Sequence, residues 1–388
     1  MRLSEVRHQE RAISIIRRAL TSGRTHHAYL FEGPEGIGKQ TAGQALAARL
    51  LCDTPQDADA CIQCQSCRLL AAGNHPDFHL IHRGLHKFHP DRSIRASKGL
   101  FIAVEVVRHF LIQPATTTPS LGRCRVFLIR EAQRMNEQAQ NALLKTLEEP
   151  PGQARLILVT ASASRLLPTI RSRCQRVAFD LLPPAFVEQQ LVAGAGVDAA
   201  TARTLAGLAQ GRLGTALRWH RVGLPVALGE VGDCLAQRFH ALPQDFAATL
   251  VEIANGLATR AVELLGDDAD EGAVPENSED SAGPTVSKAT GKTIPTDDFR
   301  DALKLVLMLI AAVYRDALVV QTRLAERLRH LPPELDVVER LAADLSMEQL
   351  ETCIKAAAEA EWMLDRNVAP KLACERLAIA LSGELPVA

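Results

Sequence analysis

The octapeptide Gly33-Pro34-Glu35-Gly36-Ile37-Gly38-Lys39-Gln40 holds the glycines and the lysine of a phosphate-binding loop, with an amide where such a loop carries a hydroxyl. In the full pattern, glycine backbone curls N–H groups around phosphates, the lysine reaches the terminal ones, and a Ser or Thr hydroxyl ligates Mg²⁺. Gly33, Gly36, Gly38 and Lys39 can still receive an anion, but Gln40 offers the metal a neutral amide. Thr41 is no substitute, because one step along a helix turns a side chain by about 100°. Four other residues carry a second chemistry: Cys52, Cys61, Cys64 and Cys67, spaced C-x8-C-x2-C-x2-C. Four thiolates at that density surround one Zn²⁺ tetrahedrally and leave no open coordination position, so the metal is structural. An iron–sulfur centre and a redox pair fit less well. The ferredoxin-type run is spaced differently, and no thioredoxin-like strand flanks a lone C-x-x-C. Cys124, Cys174, Cys234, Cys353 and Cys374 are scattered and read as buried apolar residues.

The loop needs a strand running into it and a helix leaving it. Residues 28–31 read as that strand and residues 42–51 as that helix. Further short apolar runs at 78–81, 126–129, 156–160 and 177–179 alternate with helical stretches, which predicts a parallel sheet covered on both faces. The fold class expected is an α/β P-loop NTPase-like domain over 1–180, followed by two all-helical domains. The first is a small lid over 181–222 and the second a helical collar over 223–388. Residues 267–298, rich in Asp, Glu, Ser, Thr, Gly and Pro, read as a disordered surface insertion.

Of the 388 residues, 47% are hydrophobic, which places the chain among globular proteins. No apolar run approaches the roughly 18 residues of a membrane span, and no signal-peptide pattern opens the chain, so a cytoplasmic location without a membrane partner is expected. In that reducing compartment a tight cysteine cluster points to metal. The net charge of −1 conceals an asymmetry: residues 1–180 carry 25 Lys+Arg against 15 Asp+Glu, and residues 181–388 carry 19 against 30. A basic phosphate-loop region points to nucleic acid nearby.

Five segments stand in one order and spacing: His27-Ala-Tyr-Leu-Phe-Glu-Gly33, the cysteine run, His75-Pro-Asp77, Asn141-Ala-Leu-Leu-Lys-Thr-Leu-Glu-Glu-Pro-Pro151 and Ser172-Arg-Cys174. Over about residues 1–220 this ensemble resembles the clamp-loader branch of the AAA+ ATPases, the family that serves bacterial DNA polymerase III; the insertion at 267–298 is outside the family pattern. The resemblance fixes the register after the strand at 126–129. Arg130 and Glu131 stand where a hydrolase places the acids for Mg²⁺ and water, and a guanidinium there repels the ion. Gly211-Arg-Leu-Gly-Thr-Ala-Leu217 puts Gly214 at the place of the arginine that senses the terminal phosphate, with Arg212 on another face if the segment is helical. Thr160 keeps the first sensor place. The chain's own ATP/Mg²⁺ site is thereby implied to be defunct, with nucleotide binding doubtful.

What the resemblance implies instead is a catalytic role for Arg173 as an arginine finger in trans, completing an ATP site on a neighbouring subunit. A planar, permanently charged guanidinium stabilises charge on a transferring phosphoryl group. It also implies a non-hydrolysing stator in a heteropentamer with gamma/tau motor subunits and a delta subunit. That ring loads the sliding clamp onto primed DNA, as part of the holoenzyme whose activity is that of a DNA-directed DNA polymerase, a nucleotidyltransferase. The alternative is an active ATPase of the gamma/tau type with a replaced metal ligand. A third reading, a zinc-stabilised DNA-binding module, loses because the cysteine run lacks a basic recognition helix. His82, His86 and His89, among Arg83, Lys87, Arg92 and Arg95, read as a solvated loop, and Trp219 and Trp362 as packing residues.

Overall fold

Short apolar runs separated by helical stretches dictate a parallel sheet buried on both sides. In the computed structural model, which describes residues 1–97, 99–237, 242–270, 296–322, 328–332 and 335–382, these runs become β1 (Ala28–Glu32), β2 (Phe78–Ile81), β3 (Arg125–Ile129), β4 (Ala154–Thr160) and β5 (Gln175–Ala178). All neighbours are parallel, in the order β2-β3-β4-β1-β5. Tyr29, Phe31, Val126, Leu128 and Ile157 enter the core on one face. Leu30, Phe127, Ile129, Leu156 and Leu158 enter the core on the other. A strand that feeds two cores must be apolar throughout, which is why β3 reads as an unbroken hydrophobic run.

Helices α1 (Glu10–Thr21), α2 (Lys39–Leu51), α3 (Gln65–Ala71), α4 (Glu137–Glu148) and α5 (Pro168–Arg173) accompany the sheet. In α1, Ala12, Ile13, Ile16 and Leu20 bury one stripe at helical spacing. Asn136 caps α4 by accepting from Ala139 N at 2.8 Å, and a proline opens the first turn of α5, where its missing N–H costs nothing. Asp77 of the His75-Pro-Asp77 motif is fully buried and accepts from the amides of Ser120, Leu121 and Gly122 at 2.6, 2.8 and 2.8 Å. Arg125 pairs with the same carboxylate at 3.3 Å. These donors hold its carboxyl below the ordinary range against the opposing effect of burial.

By internal contacts the chain divides into two units: Met1–Pro183 with Gly211–Gly214, and Pro184–Gln210 with Thr215–Ala388. The described part of the second unit is helical, from Pro184–Ala195 and Ala199–Ala209 to Met347–Asp365 and Pro370–Ser382. Its longer helices pack around Leu303, Val306, Val313 and Tyr314. Fully buried Asp316 ties a connecting segment to this core, accepting from His330 N at 2.9 Å and Leu331 N at 2.7 Å. Most of the segments read as lid and collar fall in this one unit, while Gly211–Gly214 belongs with the sheet. Of the insertion read at 267–298, residues 271–295 lie outside the described residues, and its edges continue the helices Pro243–Asp270 and Thr296–Gln321. Among the described residues no helix is long and apolar enough to cross a membrane.

Two small readings are corrected. Trp219 is buried, but Trp362 is 56% exposed, with the Arg366 guanidinium 4.1 Å from its ring centroid. Its packing partner is thus a cation on its own helix end rather than a core. His86 is also buried, its Nδ1 2.8 Å from the Arg83 carbonyl, so the stretch is anchored there, while Lys87, Phe88, Arg92 and Arg95 are exposed.

Candidate functional site

Gly33 leaves β1 with φ 142°, and a Cβ there would meet the Phe179 carbonyl oxygen at 2.4 Å, so only glycine fits. The loop ends at Gly38, which opens α2 in the left-handed conformation. Lys39 is buried and turns back on the loop, its Nζ donating to the carbonyls of Gly33 at 2.5 Å and of Pro34. Burial pulls its pKa down to about 8, with Glu35 opposing. Gln40 is half-buried and Thr41 exposed.

Gly214 closes on the same loop. Its N–H donates to the Gly36 carbonyl at 2.7 Å, and a Cβ at 214 would lie 3.0 Å from Gly36 Cα. A side chain at position 214 would therefore push on the loop backbone. Beyond β3, Arg130 is exposed and its N–H donates to the Ile81 carbonyl at 2.9 Å. Glu131, held at φ 49°, pairs with Arg83 at 3.7 Å. Thr160 is fully buried at the end of β4 and donates its hydroxyl to Gln133 Oε1 at 2.9 Å. Lys39, Glu131 and Thr160 are thus each engaged by groups of the protein itself.

The four cysteines meet at the other end of α2. Cys52 caps the helix C-terminus and Cys64 caps the N-terminus of α3. All four Sγ atoms lie within 4.8 Å of one another, with Cys52–Cys64 at 3.8 Å and Cys61–Cys67 at 3.9 Å. A tetrahedron with metal–sulfur bonds of about 2.3 Å has edges of about 3.8 Å, so the spacing fits one ion. The sulfurs also receive amide donors. Cys61 N points at Cys52 Sγ (3.3 Å), Cys64 N at Cys61 Sγ (3.3 Å) and Cys67 N at Cys64 Sγ (3.4 Å). Hydrogen bonds from Thr54, Gln63 and Cys64 draw the Cys61 thiol down to about 5, whereas burial pushes Cys52 and Cys67 up. This donor set can hold a structural metal.

Arg173, the last residue of α5, is one-third exposed. Its Nη1 donates to the Thr169 carbonyl at 3.0 Å and its Nη2 pairs with Glu148 Oε1 at 2.5 Å. Nearby Arg176 is held more firmly, by three hydrogen bonds to Glu32 at 2.7–3.1 Å. Sequence reasoning missed Glu148 as that partner and Gly214 as a backbone contact. Neither has a local signal, because each contact joins segments far apart in the chain.

The family described as DNA polymerase III, delta subunit, matches residues 8–183, a span that contains the loop, the cysteines and Arg173. Residues 8–183 are similar to this family. Among curated relatives, the DNA polymerase III subunit delta′ of Pseudomonas aeruginosa is 41% identical over 200 residues, 51% of this chain and 57% of the relative. That of Bacillus subtilis is 34% identical over 184 residues, 47% and 51% of the two chains. A DNA polymerase III subunit tau from Salmonella typhimurium is 33% identical over 183 residues, 47% of this chain and 26% of that protein. The chain thus spans about half the length of the delta′ relatives it matches. A solved DNA polymerase III gamma subunit-related protein from Thermotoga maritima aligns over 97% of this chain and 100% of its own, at 16% identity and a TM-score of 0.42. The family match thus lies within the sheet unit, and delta′ and tau relatives each match about half of this chain.

Proposed function

We propose that this chain is a delta′-type subunit of a DNA polymerase III clamp loader, a stator that does not hydrolyse ATP itself. The observation that carries the reading is the phosphate loop. Its glycines and Lys39 are retained, yet the ammonium is engaged by the loop's own carbonyls and Gly214 N–H occupies Gly36. Gln40 and Arg130 stand where the metal would need oxygen ligands. The loop keeps its shape as a scaffold.

In this reading Zn²⁺ is held by Cys52, Cys61, Cys64 and Cys67 and contributes folding energy rather than chemistry. The 1–180, 181–222 and 223–388 segments act as AAA+ domain, lid and collar. The collar joins gamma/tau motor subunits and a delta subunit into a heteropentamer in the cytoplasm, which loads the sliding clamp onto primed DNA. Arg173 reaches a neighbour's ATP, where a finger supplied in trans is worth about 10³–10⁵ in rate at the interface it completes.

The tau match favours one second reading, an active gamma/tau-type ATPase. Two measurements separate them. Phosphate release from the isolated chain with Mg²⁺ is expected to stay at background, and DNA-stimulated ATP hydrolysis by a reconstituted motor complex is expected to fall on Arg173→Ala. Mg²⁺-dependent turnover by the chain alone would establish the second reading. Unchanged motor activity with Arg173→Ala would remove the trans role.

A further inference from the structure

Arg173 and Glu148 are each the last residue of their helix, α5 and α4, and the two helices pack together. A cation suits a helix C-terminus, whose carbonyls carry partial negative charge, and Arg173 donates to one of them, Thr169 O. A carboxylate does not suit that end. Glu148 is half exposed, and among the described residues its charge there is met by Arg173. The contrast with Arg176 is informative. Three hydrogen bonds fix that guanidinium on Glu32, whereas Arg173 holds its carboxylate through one nitrogen and keeps a face open to solvent.

We propose that Glu148 is a positioning residue for Arg173, the counter-ion on which the guanidinium rests until a neighbour's triphosphate replaces it. This rests on the reading of Arg173 as a trans finger. Docking is then an exchange of anions: Nη2 leaves Glu148 Oε1 and takes a phosphate oxygen, and Glu148 is left facing a negatively charged nucleotide. Both consequences oppose docking. An exposed pair shifts such an equilibrium by no more than about fivefold, so Glu148 tunes the occupancy of the finger without blocking it.

The test uses the full chain in a complex reconstituted with gamma/tau motor subunits, reading steady-state ATP hydrolysis. Glu148→Gln is expected to lower KM for ATP by about 2–5-fold with little change in kcat, since saturating nucleotide already displaces the carboxylate. Glu148→Asp, which keeps the charge, is expected to return KM toward the wild-type value. In an Arg173→Ala background the Glu148→Gln shift should shrink, since only the direct repulsion between Glu148 and the nucleotide remains. An unchanged KM, or an equal shift in both backgrounds, overturns the positioning role. Loss of kcat with Glu148→Gln overturns it too, because Glu148 would then touch the neighbour's site itself. Arg173→Ala alone reports on the underlying reading: if it changes nothing, that reading fails, whereas if it matters and Glu148→Gln does not, only the present inference fails.

Discussion

The two ends of α2 are instructive side by side. At its N-terminus, Gly33–Lys39 forms a glycine-rich loop whose charged group bonds to its own loop carbonyls. At its C-terminus, thirteen residues on, Cys52 and three further thiols converge at the spacing of a closed metal site. A single helix therefore joins a loop whose groups are engaged within the protein to a set of thiols whose spacing fits one ion. At the loop, backbone and lysine find partners within the protein, so Gln40 and Gly214 leave little unsatisfied. Among the cysteines, Cys52, Cys61 and Cys67 are buried, and a shared cation would let all four sulfurs be charged together.

The largest test of that contrast is Cys64→Ser. It is expected to abolish metal retention in elemental analysis and to lower unfolding free energy on the order of 5 kcal/mol; a variant that stays fully stable would equate the two ends. Next is Asp77→Ala, at the cysteine end of the sheet, which strips three amides and Arg125 of their acceptor. A loss of about 3–5 kcal/mol in urea unfolding is expected, and a cost below about 1 kcal/mol would show that the knot is dispensable.

The loop end is probed through Lys39. Its folded pKa of about 8 lies below its ordinary 10.5, so the native state binds fewer protons than the unfolded chain between these pH values. Its contribution opposes folding below pH 8 and is relieved as pH rises toward 10.5, by up to about 3 kcal/mol. Stability relative to Lys39→Met should therefore increase between pH 8 and 10, and parallel pH profiles for the two proteins would refute the buried, charged state. The smallest effect is Gly214→Arg, expected to cost about 1–3 kcal/mol by pressing on Gly36 and to speed hydrogen exchange at residue 214. Unaltered exchange would mean the loop accommodates a sensor side chain freely.

Much of the fold was legible because its signals are local. The apolar runs of β1, β3 and β4, separated by helical stretches, announced a doubly buried parallel sheet, and x2 spacings place sulfurs within reach of one ion whatever surrounds them. The second unit was legible as helical, but its partition was not. Gly211–Gly214 sits with the sheet despite its place between helices, because Gly36 and Leu182 hydrogen-bond to it. Trp362 misled for a related reason: an aromatic at helical spacing does not say whether that face is covered.

By itself the sequence determined the strand order's raw material, the phosphate-loop scaffold with its missing hydroxyl, and a set of thiols close enough in the chain to share a metal. Those depend on residue type and short separations, which the backbone enforces directly. The tertiary structure alone decided what those groups touch: Gly214 against Gly36, Lys39 against its own loop, Arg173 against Glu148. Such contacts join helix ends and loops brought together by packing of the sheet's two cores, and no local pattern records which partner a buried ammonium or a half-exposed guanidinium will meet.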